Sequence, residues 1–259
     1  MDLGISGKRA LVCASSKGLG RGCAFALAEA GFDLILNARG AEALEQTAQE
    51  IRDAHGVSVT TVAADITTDE GRAKVLEATG AVDILVNNAG GPPPGFWSDW
   101  ERDDFIKALD ANMLAPIALM KALLPGMIDK GWGRVVNITS ASVRSPIAQL
   151  GLSNSARAGL TGYVAGTSRQ VAKHGVTINN LLPGLHQTDR AVSLAQATAD
   201  REGITLDEAA AARDAANPTG RIGTASEFGA TCAFMCSVHA GFMVGQNVLL
   251  DGGAFNSTV

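Results

Sequence analysis

Cysteine is scarce in this sequence, and its spacing does not suit a cross-linked or metal-binding framework. The 259 residues include four cysteines, Cys13, Cys23, Cys232 and Cys236, and no two of them form a C-x-x-C pair. So few thiols in so long a chain argue against a disulfide scaffold, and their spacing does not indicate a zinc site. Cys232 and Cys236 lie one helical turn apart among apolar residues, so we expect small buried side chains.

Clustered positive charge and long apolar runs are also missing. The chain has 21 Lys and Arg against 26 Asp and Glu, for a formal charge of −5. A mildly acidic chain without basic clusters is poorly suited to bind nucleic acid or an anionic membrane surface. No apolar run approaches the roughly 18 residues of a membrane span, and the first residues do not resemble a signal peptide. We therefore expect a cytoplasmic protein that binds neither nucleic acid nor membrane.

Aromatic residues make up only 5% of the chain, whereas glycine is abundant with 30 residues. This composition favours close packing of helices on a sheet over an aromatic-rich β-sandwich. Short aliphatic runs predict strands over residues 9–14, 33–38, 58–63, 82–87, 134–139, 176–181 and 247–250. Longer alanine-rich stretches between them predict helices over residues 19–30, 41–54, 69–79, 101–129, 152–174 and 225–237.

The alternation of strands and helices predicts an α/β fold, a doubly wound parallel sheet of seven strands in a single Rossmann domain over residues 1–259. Fully apolar runs such as 84–86 are typical of parallel strands buried on both faces. Two stretches break the rhythm. Residues 90–95 are glycine and proline, which excludes regular structure. Residues 185–217 form a polar insertion that is either a substrate lid or a plain surface excursion.

The first strand runs directly into a glycine-containing loop, Ser15, Ser16, Lys17, Gly18, Leu19 and Gly20, and then into a helix. Glycines between a strand and a helix let the backbone approach a pyrophosphate, whose charge the helix N-terminus stabilises. This context makes a dinucleotide site the leading interpretation, with a tight turn that binds nothing as the alternative.

The end of the second predicted strand indicates which dinucleotide binds. An acidic residue there would bind the 2′-hydroxyl of the adenosine ribose, but the chain has no acid over residues 37–40. Lys17 and Arg39 could instead hold a 2′-phosphate, although each alone could be a solvated surface cation. The pattern favours NADP(H), with NAD(H) as a second possibility.

The loop spacing and several later motifs resemble the short-chain dehydrogenase/reductase family, and more narrowly its 3-oxoacyl-acyl-carrier-protein reductases. The family's loop has three glycines, at positions 14, 18 and 20; this chain has Ala14, which is tolerable where the turn needs no positive φ. The last strand and its Asp-Gly-Gly ending, residues 245–253, also match. The resemblance implies cofactor contacts from Asp65, Ile66, Asn88, Ala89, Gly90, Pro183, Gly184 and Thr188, and a proton-relay role for Asn112.

The resemblance also locates the catalytic set, and there the chain departs from the family. The family's serine corresponds to Ser140, its tyrosine position holds Ser153 and its lysine position holds Arg157. The i,i+4 spacing still puts Ser153 and Arg157 on one helix face. Arg157 could hold ribose hydroxyls but cannot shuttle protons near neutral pH, and serine is a far weaker acid than tyrosine. Losing a matched general acid typically costs about 10²–10⁴-fold in rate.

Three further residues are substrate-site candidates. His186 follows the predicted nicotinamide loop and titrates in a useful range, but a histidine on a loop can equally be incidental. Ser142 and Arg144 lie in the segment that lines the substrate pocket of relatives. Arg144 suggests an anionic substrate, with a surface arginine as the equal alternative.

Three functions follow. The leading one is NADP(H)-dependent hydride transfer to or from a small carbonyl or alcohol, assisted by Ser140, Ser153, Arg157 and Asn112. The second is reduction of a carbon–carbon double bond conjugated to a carbonyl. The third is a dinucleotide-binding regulatory protein without turnover. Family resemblance also implies a homotetramer assembled through the helices 101–129 and 152–174 and the last strand.

Overall fold

The computed structural model describes residues 2–258 and confirms the predicted α/β architecture. Seven strands form one sheet in the order β3-β2-β1-β4-β5-β6-β7, and every neighbouring pair is parallel. The strands are β1 (Arg9–Cys13), β2 (Asp33–Ala38), β3 (Val59–Ala63), β4 (Ile84–Asn87), β5 (Gly133–Ile138), β6 (Val176–Pro183) and β7 (Asn247–Leu250). All seven predicted strands are present, with ends that differ by two residues or fewer.

The helices fall on both sides of this sheet. They are α1 (Gly18–Glu29), α2 (Ala41–His55), α3 (Asp69–Thr79), α4 (Arg102–Leu109), α5 (Ala115–Asp129), α6 (Gly151–Val171), α7 (Asp189–Glu202), α8 (Leu206–Ala215) and α9 (Ala225–Cys236). Buried side chains of α1, α2 and α9 form one apolar core with the sheet, and those of α3, α5 and α6 form a second core.

The strand β1 shows why the sequence folds in this way. Ala10 and Val12 belong to the α1 side of the sheet, whereas Leu11 and Cys13 belong to the α5 side. Because successive side chains in a strand point to opposite faces, a strand covered on both sides needs an unbroken apolar run. All four cysteines are buried and free.

The strand order places a crevice between β1 and β4. The chain first moves outward from β1 to β3, then returns to form β4 on the other side of β1. The connections that follow β1 and β4 therefore diverge to opposite faces, and ligands of open α/β sheets bind at this point. The glycine loop follows β1 and residues 88–95 follow β4, so both predicted site segments meet there.

The predicted helix over residues 101–129 is interrupted by a π-helical turn, which is a correction to the expected continuous α-helix. The turn spans Asp110–Leu114, and its Ala115 N–H donates to the Asp110 carbonyl. The wide turn contains Asn112, whose side chain is buried. Residues 102–129 are long and apolar enough to cross a membrane, but the core helix of a soluble protein can have the same length and composition. Leu119, Met120 and Met127 of this stretch lie in the α5-side core.

The segment over residues 185–217 is mostly helical and not an irregular loop. It contains α7 and α8, which pack against each other. Thr188 caps α7 through its hydroxyl, which accepts from the Ala191 N–H, and Thr205 forms a reciprocal capping box with Glu208 at the start of α8. The segment begins directly after β6, beside the crevice.

Candidate active site

The turn after β1 is built for close approach of a ligand to the backbone. Gly18 has φ of +58° and Ala14 has φ of +47°. Alanine is tolerable at position 14 only where the turn needs no positive φ, and this turn does have positive φ there. The expectation of an unstrained Ala14 is therefore wrong. A Cβ on Gly20 would overlap the Ala14 carbonyl oxygen and lie 2.8 Å from Asn88 Nδ2. Glycine at position 20 is thus required by the backbone itself.

The N-terminus of α1 faces this turn with its amide groups free for an anion. Lys17 is the N-cap residue and makes no side-chain cap, and the first helical turn contains no acidic residue. Unpaired N–H groups and the positive end of the helix dipole favour an anion such as a pyrophosphate. The chemistry of this cradle fits a dinucleotide.

Neighbouring elements hold the glycine turn in place. Asn88, which follows β4, donates from Nδ2 to the Ala14 carbonyl at 3.3 Å. The buried Ser15 hydroxyl donates to Asn37 O, and the Thr47 hydroxyl of α2 donates to Ser16 O at 3.0 Å. Ser15 and Ser16 are therefore fixed as part of the loop scaffold.

At the carboxyl end of β2 the structure offers a cation and no acid. Arg39 is exposed there, while the buried Asn37 amide donates to Val62 O and Ala64 O. Asp65 accepts from the backbone and hydroxyl of Thr67, and these bonds, with a smaller contribution from the Arg39 charge, lower the Asp65 pKa. Ile66 beside it is buried.

The start of α7 touches the glycine turn directly. The Thr188 methyl carbon lies 3.5 Å from the position that a Cβ on Gly18 would take. Lys17 Nζ forms an ion pair with Asp189 at 2.7 Å, and both side chains are about three-quarters exposed, at 74% and 75%. The predicted phosphate-binding lysine is therefore paired with an acid from the segment that follows β6.

Ser153 and Arg157 are buried next to each other on the face of α6 that meets β5. Ser153 is 4% exposed and Arg157 is 7% exposed. Arg157 Nε donates to Ser153 Oγ at 3.3 Å, so the predicted i,i+4 pair is in contact. Because Ser153 Oγ accepts this bond, its own hydroxyl proton remains available to another acceptor.

The remaining donors of Arg157 tie α6 to two strand ends. Nη1 donates to Ile138 O at the end of β5 at 2.7 Å, and Nη2 donates to Ala89 O after β4 at 3.4 Å. Burial, followed by the charge of Arg190, lowers the Arg157 pKa to about 10. The group therefore remains a cation at neutral pH.

A small cavity with a mixed polar and apolar lining lies beside the guanidinium. Its volume of about 10 Å³ matches the space of a single water molecule. It is lined by Asn87, Asn88, Ala89, Ala111, Asn112, Pro116, Ile138, Arg157 and Leu160. Asn112 Nδ2 donates to Ala108 O, while its Oδ1 is buried and accepts from no described residue. The π-helical turn thus aims an unused acceptor into the site.

The two serines after β5 differ in their surroundings. Ser140 Oγ accepts from the Ser142 N–H at 3.1 Å and caps a short 3-10 turn. Ser140 is partly exposed, and Ser142 is 1% exposed. Ser142 Oγ makes no hydrogen bond with another described residue.

Two predicted substrate residues have their contacts outside this cluster. The Arg144 guanidinium donates to Asn247 O at 3.4 Å and stacks on Phe255 near the chain's end. The His186 ring is 4% exposed and packs edge-on against Phe228 of α9. Its Nδ1 donates to Gly184 O at 3.2 Å, and burial lowers its pKa, so the ring is neutral and held by packing.

Arg190 is a site residue that the sequence interpretation missed. It lies in the first turn of α7, and its Nη1 and Nη2 both donate to Pro92 O at 3.4 Å. A Cβ on Gly91 would collide with the same guanidinium. One signal for Arg190 was present in the sequence, its position two residues after Thr188. Its partner could not be predicted, because the contact depends on the path of the loop after β4. Tyr163, the single tyrosine, packs against the α5-side core.

Known proteins match nearly the whole length of this chain. The family described as enoyl-(acyl carrier protein) reductase matches residues 13–254. The 3-oxoacyl-[acyl-carrier-protein] reductase of Vibrio cholerae is 32% identical over 259 residues, with 98% of this chain and 99% of that protein covered. The NADPH-dependent reductase BacG of Bacillus subtilis is 28% identical, with 98% of this chain and 100% of that protein covered.

Among solved structures, an L-sorbose reductase from Gluconobacter frateurii, in complex with NADPH and L-sorbose, has a similar backbone. Its TM-score is 0.93 at 28% sequence identity, and the match covers 99% of this chain and 100% of that one. The similarity includes the helices after β6 as well as the sheet.

Proposed function

The chain belongs to the short-chain dehydrogenase/reductase family, and from the geometry of its site we propose that it transfers a hydride between NADP(H) and the carbonyl or alcohol group of a small molecule. The observation that carries the proposal is the buried contact between Ser153 and Arg157 beside the crevice. Two relatives of the same length are described as NADPH-dependent or NADPH-bound reductases, which supports the choice of cofactor.

The cofactor would lie across the carboxyl ends of β1 and β4. The glycine turn, residues 15–20, and the amide groups of α1 would hold its pyrophosphate, and Arg39 with Lys17 would hold the 2′-phosphate. Bound NADPH supplies the hydride. Further contacts are proposed from Asp65, Ile66, Asn88, Ala89, Gly90, Pro183, Gly184 and Thr188.

We propose that Ser153 and Arg157 occupy the places of the family's tyrosine and lysine. Ser153 Oγ, which accepts from Arg157, would direct its own proton to the substrate oxygen, and Ser140 would be the second donor. The nearby guanidinium charge would stabilise negative charge that develops on that oxygen. Asn112 would complete the polar lining beside Arg157.

A distinctive feature of this proposed set is that it contains donors but no group suited to give up a proton near neutral pH. Arg157 has a pKa of about 10, and serine holds its proton more tightly than a phenol does. His186, the other candidate for proton transfer, is buried against Phe228. The proton delivered to the product would therefore come from solvent, with Ser153 as the hydrogen-bond donor that positions the oxygen.

This lack of an acid favours a second candidate reaction, the reduction of a carbon–carbon double bond conjugated to a carbonyl. In that reaction the substrate oxygen becomes an enolate, which hydrogen-bond donors stabilise without a simultaneous proton transfer. The proton can then reach carbon from water in a later step. A matching family described by an enoyl reductase is consistent with this chemistry.

The test combines binding with turnover. NADPH and NADH affinities are measured by calorimetry, and NADPH consumption is followed with a panel of ketones and conjugated enones, with product analysis. We expect micromolar NADPH binding and turnover of one class. Ser153→Ala should lower kcat by about 10²-fold with NADPH affinity unchanged, since one oxyanion donor contributes about that much. Ser155→Ala, an exposed serine on the same helix, is the matched control.

Each result discriminates among the alternatives. Alcohol products from ketones alone support the carbonyl reaction, and saturated ketones from enones support the second. Tight NADPH binding without oxidation across both classes would identify a regulatory protein and contradict both catalytic proposals. Equal losses in Ser153→Ala and Ser155→Ala would remove Ser153 from the mechanism.

A further inference from the structure

Two guanidinium groups at the substrate end of the site have no acidic partner. Arg157 is 7% exposed and Arg190 is partly buried. Within residues 2–258, neither forms an ion pair with a carboxylate. Their hydrogen bonds go to backbone carbonyls, and in the case of Arg157 also to the Ser153 hydroxyl.

The two cations converge on one short loop. Arg157 Nη2 donates to Ala89 O, and both terminal nitrogens of Arg190 donate to Pro92 O, three residues further along. Gly91 lies under the Arg190 guanidinium, where any side chain would collide with it. The pair is close enough that the Arg190 charge, after burial, contributes to lowering the Arg157 pKa.

A buried cation next to a half-buried one, neither with a counter-ion, is an unusual arrangement for a purely structural role. A buried charge is normally paired, and carbonyl dipoles compensate for it only in part. Neither residue has used all of its donors, since each guanidinium carries five N–H groups. An anion bound between them would supply the missing charge and accept the remaining N–H groups.

The position of Arg190 distinguishes a substrate anion from a cofactor phosphate. The phosphate cradle is formed by the glycine turn, and the part of α7 that contacts it is Thr188, with Asp189 paired to Lys17. Arg190 instead reaches over Gly91 and Pro92, on the loop that runs on to the exposed side chains of Phe96 and Trp97. The unpaired charge therefore lies past the pyrophosphate cradle, toward the substrate.

We propose that the substrate carries a carboxylate that Arg190 binds, with Arg157 as the second positive charge, so that the protein acts on an oxo acid or on its conjugated unsaturated counterpart. The inference rests on the proposed function for the identity of the reacting group, but the anion site itself does not depend on turnover. We place the anion at Arg190 and not at Arg144, because Arg144 is exposed and contacts Phe255 near the chain's end, whereas Arg190 is half-buried near Arg157.

The test uses the full chain and pairs of acids and esters that differ only in charge. The probes are the oxo acids from 2-oxobutanoate to 5-oxohexanoate and trans-4-oxopent-2-enoate, each with its methyl ester. Binding to the protein with and without NADPH is measured by calorimetry, and NADPH consumption is followed separately. The variants are Arg190→Gln, which keeps donors for Pro92 O, and Arg190→Lys, which keeps the charge. Arg201→Gln on the exposed far end of α7 is the matched control.

We expect at least one acid to bind about tenfold or more tightly than its ester. Arg190→Gln should weaken binding of that acid by about 10–100-fold, the range expected for the loss of a hydrogen bond to a charged group. Its affinities for the ester and for NADPH should stay within about threefold of those of the wild type. Arg190→Lys should retain most of the preference, and Arg201→Gln should change nothing.

Equal binding of every acid and its ester would overturn the inference. So would a parallel loss of NADPH affinity in Arg190→Gln, because Arg190 would then hold a cofactor phosphate. The proposed function fails separately: acid binding that depends on Arg190, without any NADPH oxidation, would leave the anion site standing and remove the reductase assignment.

Discussion

Two regions meet at the carboxyl edge of the sheet: the proposed nucleotide half, formed after β1, β2 and β3, and the proposed catalytic half, formed after β4 and β5 together with α6. The first is made largely of backbone: the glycine turn, the free amides of α1 and the Ala14 carbonyl that Asn88 holds. The second is made of side chains, namely Ser140, Ser153, Arg157 and Asn112.

This difference explains which half could change. A backbone cradle is fixed by steric limits, so a side chain at position 20 has no space. A side-chain site can exchange one donor for another while the helix and strands that carry it stay in place. Ser153 and Arg157 form a side-chain site of this kind: they share a hydrogen bond across one helical turn, and Arg157 also donates to carbonyls at the ends of β4 and β5.

Gly20→Ala should produce the largest effect, because it alters the backbone of the nucleotide half directly. The new Cβ would overlap the Ala14 carbonyl, so either α1 or the turn must shift. A shift of about 1 Å in a positioning element can cost about 100-fold, and we expect NADPH affinity to fall by that factor. Overpacking should also lower the unfolding free energy by about 1–3 kcal/mol. Calorimetric titration and thermal denaturation measure both effects.

Gly166→Ala in α6 is the matched control, since a Cβ there meets nothing within 4 Å. Alanine in an open helical position should raise stability by about 0.5–1 kcal/mol and leave NADPH binding unchanged. If Gly20→Ala kept normal NADPH affinity, the backbone of this turn would not be the phosphate cradle.

Arg39→Ala tests the side chains at the rim of the nucleotide half and should have a smaller effect. Removing the one cation at the end of β2 should weaken NADPH binding by about tenfold, with NADH binding changed less than about twofold.

Asp189→Asn should instead strengthen NADPH binding. It frees Lys17 from its exposed ion pair, which is a weak interaction, and should tighten NADPH binding by about two- to fivefold.

The double variant Lys17→Met with Asp189→Asn provides the control, since the gain should vanish when Lys17 is absent. NADPH and NADH titrations of the wild type, the single variants Lys17→Met and Asp189→Asn, and the double variant give the coupling between the two residues. A gain that persists without Lys17, or one that appears equally with NADH, would show that the Lys17–Asp189 contact does not compete with the 2′-phosphate.

The sequence predicted the strands and the position of the glycine loop well because the signals there are local. Apolar runs define the strands, and the glycine loop lies between the first strand and α1, so its position followed from its neighbours. The order of the loops along the chain also set which residues meet at the carboxyl edge. The strand ends shifted by at most two residues, as with β6, which continues to Pro183.

The parts that could not be predicted depend on contacts between distant segments. The π-helical turn at Asp110–Leu114 has the composition of an ordinary helix, and only the packing around Asn112 reveals it. His186 was predicted to be a substrate-site residue because no neighbouring residue in the sequence indicates its packing against Phe228, which is 42 residues later. Arg190 finds the Pro92 carbonyl 98 residues away, through a loop whose path no local rule supplies.

The capping signals of the segment after β6 were present and went unused. Thr205 and Glu208 have the spacing of a capping box, and they begin α8. Thr188 similarly begins α7. The polar composition of residues 185–217 led to the prediction of an insertion without assigned helices, whereas alanine with two threonine caps indicates helices.

Ala14→Gly is the smallest change and tests the strain that the nucleotide half retains. Ala14 is the non-glycine residue with positive φ among residues 2–258, at +47°. The left-handed conformation costs an L-residue about 1–2 kcal/mol, while glycine adds about 0.4–1 kcal/mol of unfolded-state entropy. The net gain of about 0.5–1 kcal/mol should raise Tm by about 1–3 °C. Ala38→Gly, at the end of β2 where φ is ordinary, should lower Tm instead. If Ala14→Gly also lowered Tm, position 14 would be unstrained and the turn would owe its shape to Gly18 alone.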